Sequence, residues 1–180
     1  MNHLQFVTRQ SASIKFWGIV IASVLSGSAF AQGDSCVNRL IGTWNGAGKL
    51  FGAEAEFMMS WERALENKFV RLTFENKMKR SDGKTQILKA QAFYKPEGET
   101  QFQGMWFDSR GMILPLKATA GDSALTTSWG SPETEQGRTV YRIIDGDTVE
   151  VNDFVLTKDG QWKHFGHAMY HREPPQPPSN

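Results

Sequence analysis

Three histidines, His164, His167 and His171, fall within one short stretch near the C-terminal end of the chain. Imidazoles this close together invite a metal reading, since neutral ring nitrogens are common zinc ligands. The stretch from Trp162 to Arg172 alternates as a strand, however, and successive side chains of a strand point to opposite faces. His164 then shares a face with Trp162, Gly166, Ala168, Tyr170 and Arg172, while His167 and His171 point the other way. Ligands divided between two faces do not converge on one ion, so no metal site is read here.

Other catalytic constellations are thin. No Gly-x-Ser-x-Gly is present, so the serine nucleophile elbow has no sequence support. Cys36 is the sole cysteine. An internal disulfide is thereby excluded, and the thiol is expected near a frayed N-terminus, with an intermolecular disulfide as the functional alternative. A Cys36–His nucleophile pair would need an orienting third group, which the sequence does not supply. Asp108 and Asp153 are candidate acids at strand ends. Asp108 reads first as a turn residue, bonding nearby backbone. Asp145-Gly146-Asp147 lacks the rest of a calcium loop and reads as a hairpin turn. No catalytic residue is assigned.

The aromatic residues are more informative. Trp44, Trp61, Trp106, Trp129 and Trp162 fall in five different segments, and Tyr94, Tyr141 and Tyr170 add rings with a polar tip. Such residues fill cores. They also line apolar pockets in which a few polar groups fix a ligand's orientation. Trp61, Phe74, Tyr94, Trp106, Trp129, Tyr141, Arg142 and His164 are the candidate ligand-binding residues. Arg71 is a weaker candidate, because alternation places it outside.

The elements that must position these groups are strands. Turn signals punctuate the chain at Phe51-Gly52, Glu66-Asn67-Lys68, Ser81-Asp82-Gly83-Lys84, Pro96-Glu97-Gly98 and Ser109-Arg110-Gly111. They continue at Gly121-Asp122, Ser131 to Gly137, Asp145-Gly146-Asp147 and Asp159-Gly160. Gly, Asn and Asp supply the positive φ that tight hairpins require. The segments between them alternate with period two. Val70, Leu72, Phe74 and Met78 oppose Arg71, Thr73, Glu75 and Lys77, and Leu88, Ala90, Ala92 and Tyr94 oppose Lys89, Gln91 and Lys95. Met112, Leu114, Leu116 and Ala118 form another row, where Pro115 predicts an edge or a bulge. Short connections make neighbours antiparallel, and about ten strands in this rhythm predict a closed up-and-down barrel.

Two ends of the sequence sharpen this. Gly42-Thr43-Trp44 opens the first strand and Tyr170-His171-Arg172 closes the last. This resembles the calycin group of lipocalins and fatty-acid-binding proteins, in which a Gly-x-Trp on the first strand packs against a basic residue of the last strand and plugs one barrel end. The resemblance implies Gly42, Trp44 and Arg172 as a structural plug. The wider series of Trp44, Trp61, Trp106-Phe107-Asp108-Ser109-Arg110-Gly111 and Arg172 resembles a bacterial lipocalin-like, calycin-type β-barrel domain family of unknown function. That resemblance covers nearly all of residues 40–172. Some ten-stranded barrels bind haem through one inward histidine, so His164 carries a haem-binding alternative beside that of a bonded core histidine.

Residues 1–31 read as a secretory signal peptide. Arg9 and Lys15 form its basic region, Phe16 to Ser26 its apolar run, and Ala29-Phe30-Ala31 its cleavage site before Gln32. Residues 32–40 are an N-terminal segment, 41–173 the barrel and 174–180 a proline-rich tail. Arg9 and Lys15 are two of 20 basic residues, which leaves 18 against 19 acidic ones in the mature chain. No basic patch for nucleic acid and no span after cleavage is expected. The expected protein is a periplasmic or secreted all-β, lipocalin-like barrel that binds a small hydrophobic or amphipathic molecule without catalysis. The alternatives are an isomerase- or hydrolase-type enzyme using the cavity, a haem-binding barrel, or an envelope protein-interaction module.

Overall fold

The computed structural model describes residues 35–174. The expected signal peptide and nearly all of the proline-rich tail lie outside the described residues. One short helix, α1 (Cys36–Leu40), precedes ten strands: β1 (Gly42–Leu50), β2 (Ala53–Ala64), β3 (Phe69–Lys79), β4 (Thr85–Pro96), β5 (Gln101–Asp108), β6 (Ile113–Ala120), β7 (Ala124–Trp129), β8 (Gly137–Ile143), β9 (Thr148–Leu156) and β10 (Trp162–Arg172). Every strand pairs antiparallel with its sequence neighbours, and β10 returns to pair with β1, which closes the barrel. Closure satisfies the hydrogen-bonding edges that an open sheet would expose.

Alternation decides what lies inside. Met59 and Trp61 of β2, Val70 and Leu72 of β3, Leu125 of β7, Val149 of β9 and Tyr170 of β10 are almost completely buried. Their outward neighbours, such as Arg71 and Glu62, pair with each other on the surface. Pro115 breaks nothing. The β5–β6 register runs unshifted from Gln101↔Thr119 to Phe107↔Ile113, so the expected edge or bulge is absent. The Pro115 carbonyl accepts from Gly130 N at 3.0 Å, just where β7 ends. The missing proline N–H therefore falls where the ladder with β7 has run out.

One end of the barrel is stoppered. Trp44 is fully buried, and the Arg172 guanidinium lies 4.0 Å above its ring. Arg172 also donates to Ile41 O and Arg39 O, both at 2.7 Å, and Trp44 Nε1 donates to Leu40 O at 2.8 Å. These are the carbonyls that the C-terminus of a helix leaves without partners. Plug and helix thus complete one another. Gly42 sits at φ +131°, and a Cβ there would lie 2.5 Å from Arg172 Nη1, so both the backbone and the arginine require glycine.

The helix corrects the expectation of a frayed segment. Ser35 caps it by accepting from Asn38 N at 3.3 Å. Cys36, Val37 and Leu40 are buried in the core. Burial pushes the Cys36 thiol up to about 11, which leaves it protonated and unreactive rather than poised for an intermolecular disulfide.

Candidate functional site

Trp44 and Trp61, both almost completely buried, fill the stoppered half. Trp61 forms the floor above the plug. Its ring meets Tyr141 edge-on with centroids 5.2 Å apart and lies 5.5 Å from Tyr94. Above this floor the barrel is hollow, with a cavity of about 220 Å³ that opens at the opposite rim. Apolar cavities of about 150 Å³ already admit benzene. Phe74 is central to one wall, 6.4 Å from Phe57 and 5.8 Å from Trp106 between ring centroids.

The structure brings together Phe74, Tyr94, Trp106, Trp129 and Tyr141 around this space. Trp61 supports it from below. Two sequence candidates lie elsewhere. Arg142 follows the inward Tyr141, so alternation turns it outward, where it is exposed and pairs with Glu150 at 3.8 Å. His164 is also exposed and outward. The β9–β10 register shifts between His164 and Gly166, and this bulge inverts the face of every residue before it. Phe165 enters the cavity in place of His164 and stacks on Phe51 at the rim with centroids 4.8 Å apart. His164 Nε2 instead lies 3.0 Å from Asn152 Oδ1 on the outer wall. The residue on which the haem alternative rested therefore does not reach the interior. Among the described residues, no three His, Cys, Asp or Glu side chains gather as a metal set would.

The polar centre of the cavity is a cross-strand row. Thr127, Thr139 and Asp153 occupy consecutive paired positions on β7, β8 and β9, and Gly166 of β10 follows. Thr139 donates its hydroxyl to Asp153 Oδ1 at 2.6 Å and accepts from Trp129 Nε1 at 3.3 Å. The indole N–H can only donate, which fixes the direction of the threonine proton. Thr127 Oγ1 and Tyr94 OH lie 3.5 Å apart. Gly166 lets the acid pack against the β10 backbone: a Cβ there would stand 2.8 Å from Asp153 Oδ2. Trp129 in turn lies flat over Gly137, where a Cβ would collide with the indole.

This environment perturbs the acid. Burial pushes the Asp153 carboxyl up to about 6, with the Thr139 hydrogen bond opposing the shift. Burial likewise raises Tyr94 to about 12 and lifts Tyr141 and Tyr170 well above the ordinary phenol range. The alternation of β9 carried a signal for this site: Val149, Val151, Asp153 and Val155 form one row, with a single carboxylate among valines. Thr139 had no comparable mark.

The rim holds a second polar group. Asp108 Oδ1 accepts from Arg110 N at 2.9 Å, and Oδ2 accepts from Trp106 Nε1 at 3.1 Å. Arg110 Nη2 then donates to Asp108 at 2.7 Å and to Glu135 at 3.2 Å, bridging the β5–β6 turn to the β7–β8 loop. These bonds hold the Asp108 carboxyl low despite its burial. Asp108 is thus a turn and rim residue.

Solved structures of other proteins share this architecture. The chain aligns with the S-type phycobiliprotein lyase CPES from Guillardia theta at a TM-score of 0.56 and 9% identity, covering 78% of this chain and 92% of that one. It aligns with Rv2717c from M. tuberculosis at a TM-score of 0.55 and 16% identity, covering 77% and 95%. The fold is a lipocalin-like barrel. At these identities the likeness concerns the fold alone, and a fold does not specify chemistry. No protein-family model and no curated protein matches the chain.

Proposed function

We propose that this protein is an exported container, periplasmic or secreted, that holds a small apolar or amphipathic molecule without transforming it. The observation that carries the reading is the hollow half of the barrel, about 220 Å³ walled by Phe57, Phe74, Trp106 and Trp129 and open at one rim. A packed interaction module would fill that space, because protein interiors close up to crystal-like density. The volume suits one or two rings or a short branched chain. The export signal read in residues 1–31 gives the compartment.

The test is a titration with 4-bromobenzyl alcohol, followed by quenching of tryptophan emission. Bromine quenches an indole on contact, and Trp106 and Trp129 line the cavity. Saturable quenching in the micromolar to millimolar range, lost when Leu116→Trp fills the space, is the expected result. Quenching that rises linearly and ignores Leu116→Trp would remove the container reading.

A second reading rests on Asp153. A carboxyl at about 6 in an apolar cavity lined also by the Tyr141 and Tyr170 phenols is equipment for moving a proton between carbon atoms. Conversion of 3-cyclohexenone to 2-cyclohexenone, lost in Asp153→Asn, would favour this enzyme. A rate equal to buffer alone would count against it.

A further inference from the structure

Asp153 is a carboxylate half-buried in the cavity wall, with no cation beside it. Its Oδ1 accepts from the Thr139 hydroxyl, and among the described residues no lysine, arginine or histidine forms an ion pair with it. Buried charges in proteins are normally paired. Although burial raises its carboxyl to about 6, the group is still mostly ionised at neutral pH. Its remaining accessible surface faces the cavity, with the carboxylate packed against Gly166.

The charges around the space sum to a negative net. Arg110, Glu135 and Asp153 are the charged residues of the cavity lining. The arginine is already shared between Asp108 and Glu135, so the enclosed field is negative. A low-dielectric cleft of one sign concentrates ligands of the other. The walls add a second preference, since aromatic ring faces attract cations, and Tyr170, Trp129 and Phe165 share the cavity with Asp153.

We propose that the ligand is a cationic amphiphile, with an apolar body against the aromatic wall and a protonated amine hydrogen-bonded to Asp153 beside Thr139. This deepens the container reading and rests on it. An amine supplies what the site lacks: a positive charge and N–H donors of its own. A fatty carboxylate would set like charge against Asp153, and a neutral alcohol would leave the buried charge uncompensated.

The experiment compares three probes of one shape, 4-bromobenzylamine, 4-bromobenzyl alcohol and 4-bromophenylacetate, by calorimetry on the mature chain at pH 7.5. The amine is expected to bind at least about tenfold tighter than the alcohol, the gain of one charge-assisted hydrogen bond, with the carboxylate weakest. In Asp153→Asn the amine-to-alcohol ratio is expected to fall to about one. Equal affinities in the wild type, or a ratio that survives Asp153→Asn, would overturn the cation assignment while leaving the container reading standing. Failure of all three probes to bind would overturn both. The wild-type comparison decides the matter even where the variant fails to fold.

Discussion

Thr139 and Asp153 face one another across β8 and β9, and the threonine hydroxyl donates to the carboxylate at 2.6 Å. Trp129 orients that hydroxyl from the other side. The pair places a carboxylate at a fixed point on the cavity wall, and its consequences are measurable.

The first consequence is a pH dependence of stability. Asp153 stands at about 6 in the folded chain, above the ordinary value of 3.8. Between those values the folded state binds the proton more tightly than the unfolded state, so its contribution to stability falls as pH rises from about 4 to about 6. Above that window the full cost of the buried charge remains, on the order of 3 kcal/mol from about two pKa units. Asp153→Asn removes the titration. Relative to wild type, the variant is expected to gain stability across this window and then level off. Urea unfolding at pH 4.5 and 7.5 checks this; a difference independent of pH would show that Asp153 is not raised.

Thr139→Val removes the hydrogen bond that opposes the burial shift. The Asp153 carboxyl is then expected to move further up, by roughly one unit, since a hydrogen bond to the charged form favours ionisation. Carbon-detected NMR titration of the aspartate side chain reads the shift directly. A downward movement would contradict the assigned donor.

The plug makes a separate claim. Arg172 covers Trp44 at 4.0 Å and binds two carbonyls of α1 and its C-cap. Trp44→Ala is expected to destabilise the barrel by roughly 3–5 kcal/mol, as for other buried aromatic truncations. Arg172→Met retains the apolar stem and loses the donors, at a cost of roughly 2–4 kcal/mol for bonds made by a charged group. Chemical denaturation measures both. An unchanged midpoint for Arg172→Met would show that α1 is held without it.

Much of this architecture is legible in the residues. Period-two rows such as Val70, Leu72 and Phe74 fix which face turns inward, and glycine and aspartate turns fix where strands end. Trp44 and Arg172 lie at opposite ends of the barrel sequence, and closure brings them together. The site was less legible. Tyr141 and Arg142 are adjacent on one strand, so both could not face the cavity, and strict alternation would have excluded the arginine. His164 was obscured for another reason: the bulge before Gly166 is a single irregularity, and the glycine beside it is a weak signal within an otherwise regular alternation. Helix α1 spans five residues, too short for a periodic signal, and its stability comes from packing against the barrel.

The claim on which the functional account depends is that the upper half of the barrel is an open binding space. Saturation of tryptophan quenching by 4-bromobenzyl alcohol tests it most directly. One saturable site per chain, abolished by Leu116→Trp, is the expected result. Quenching that never saturates, and is the same in Leu116→Trp, would contradict it.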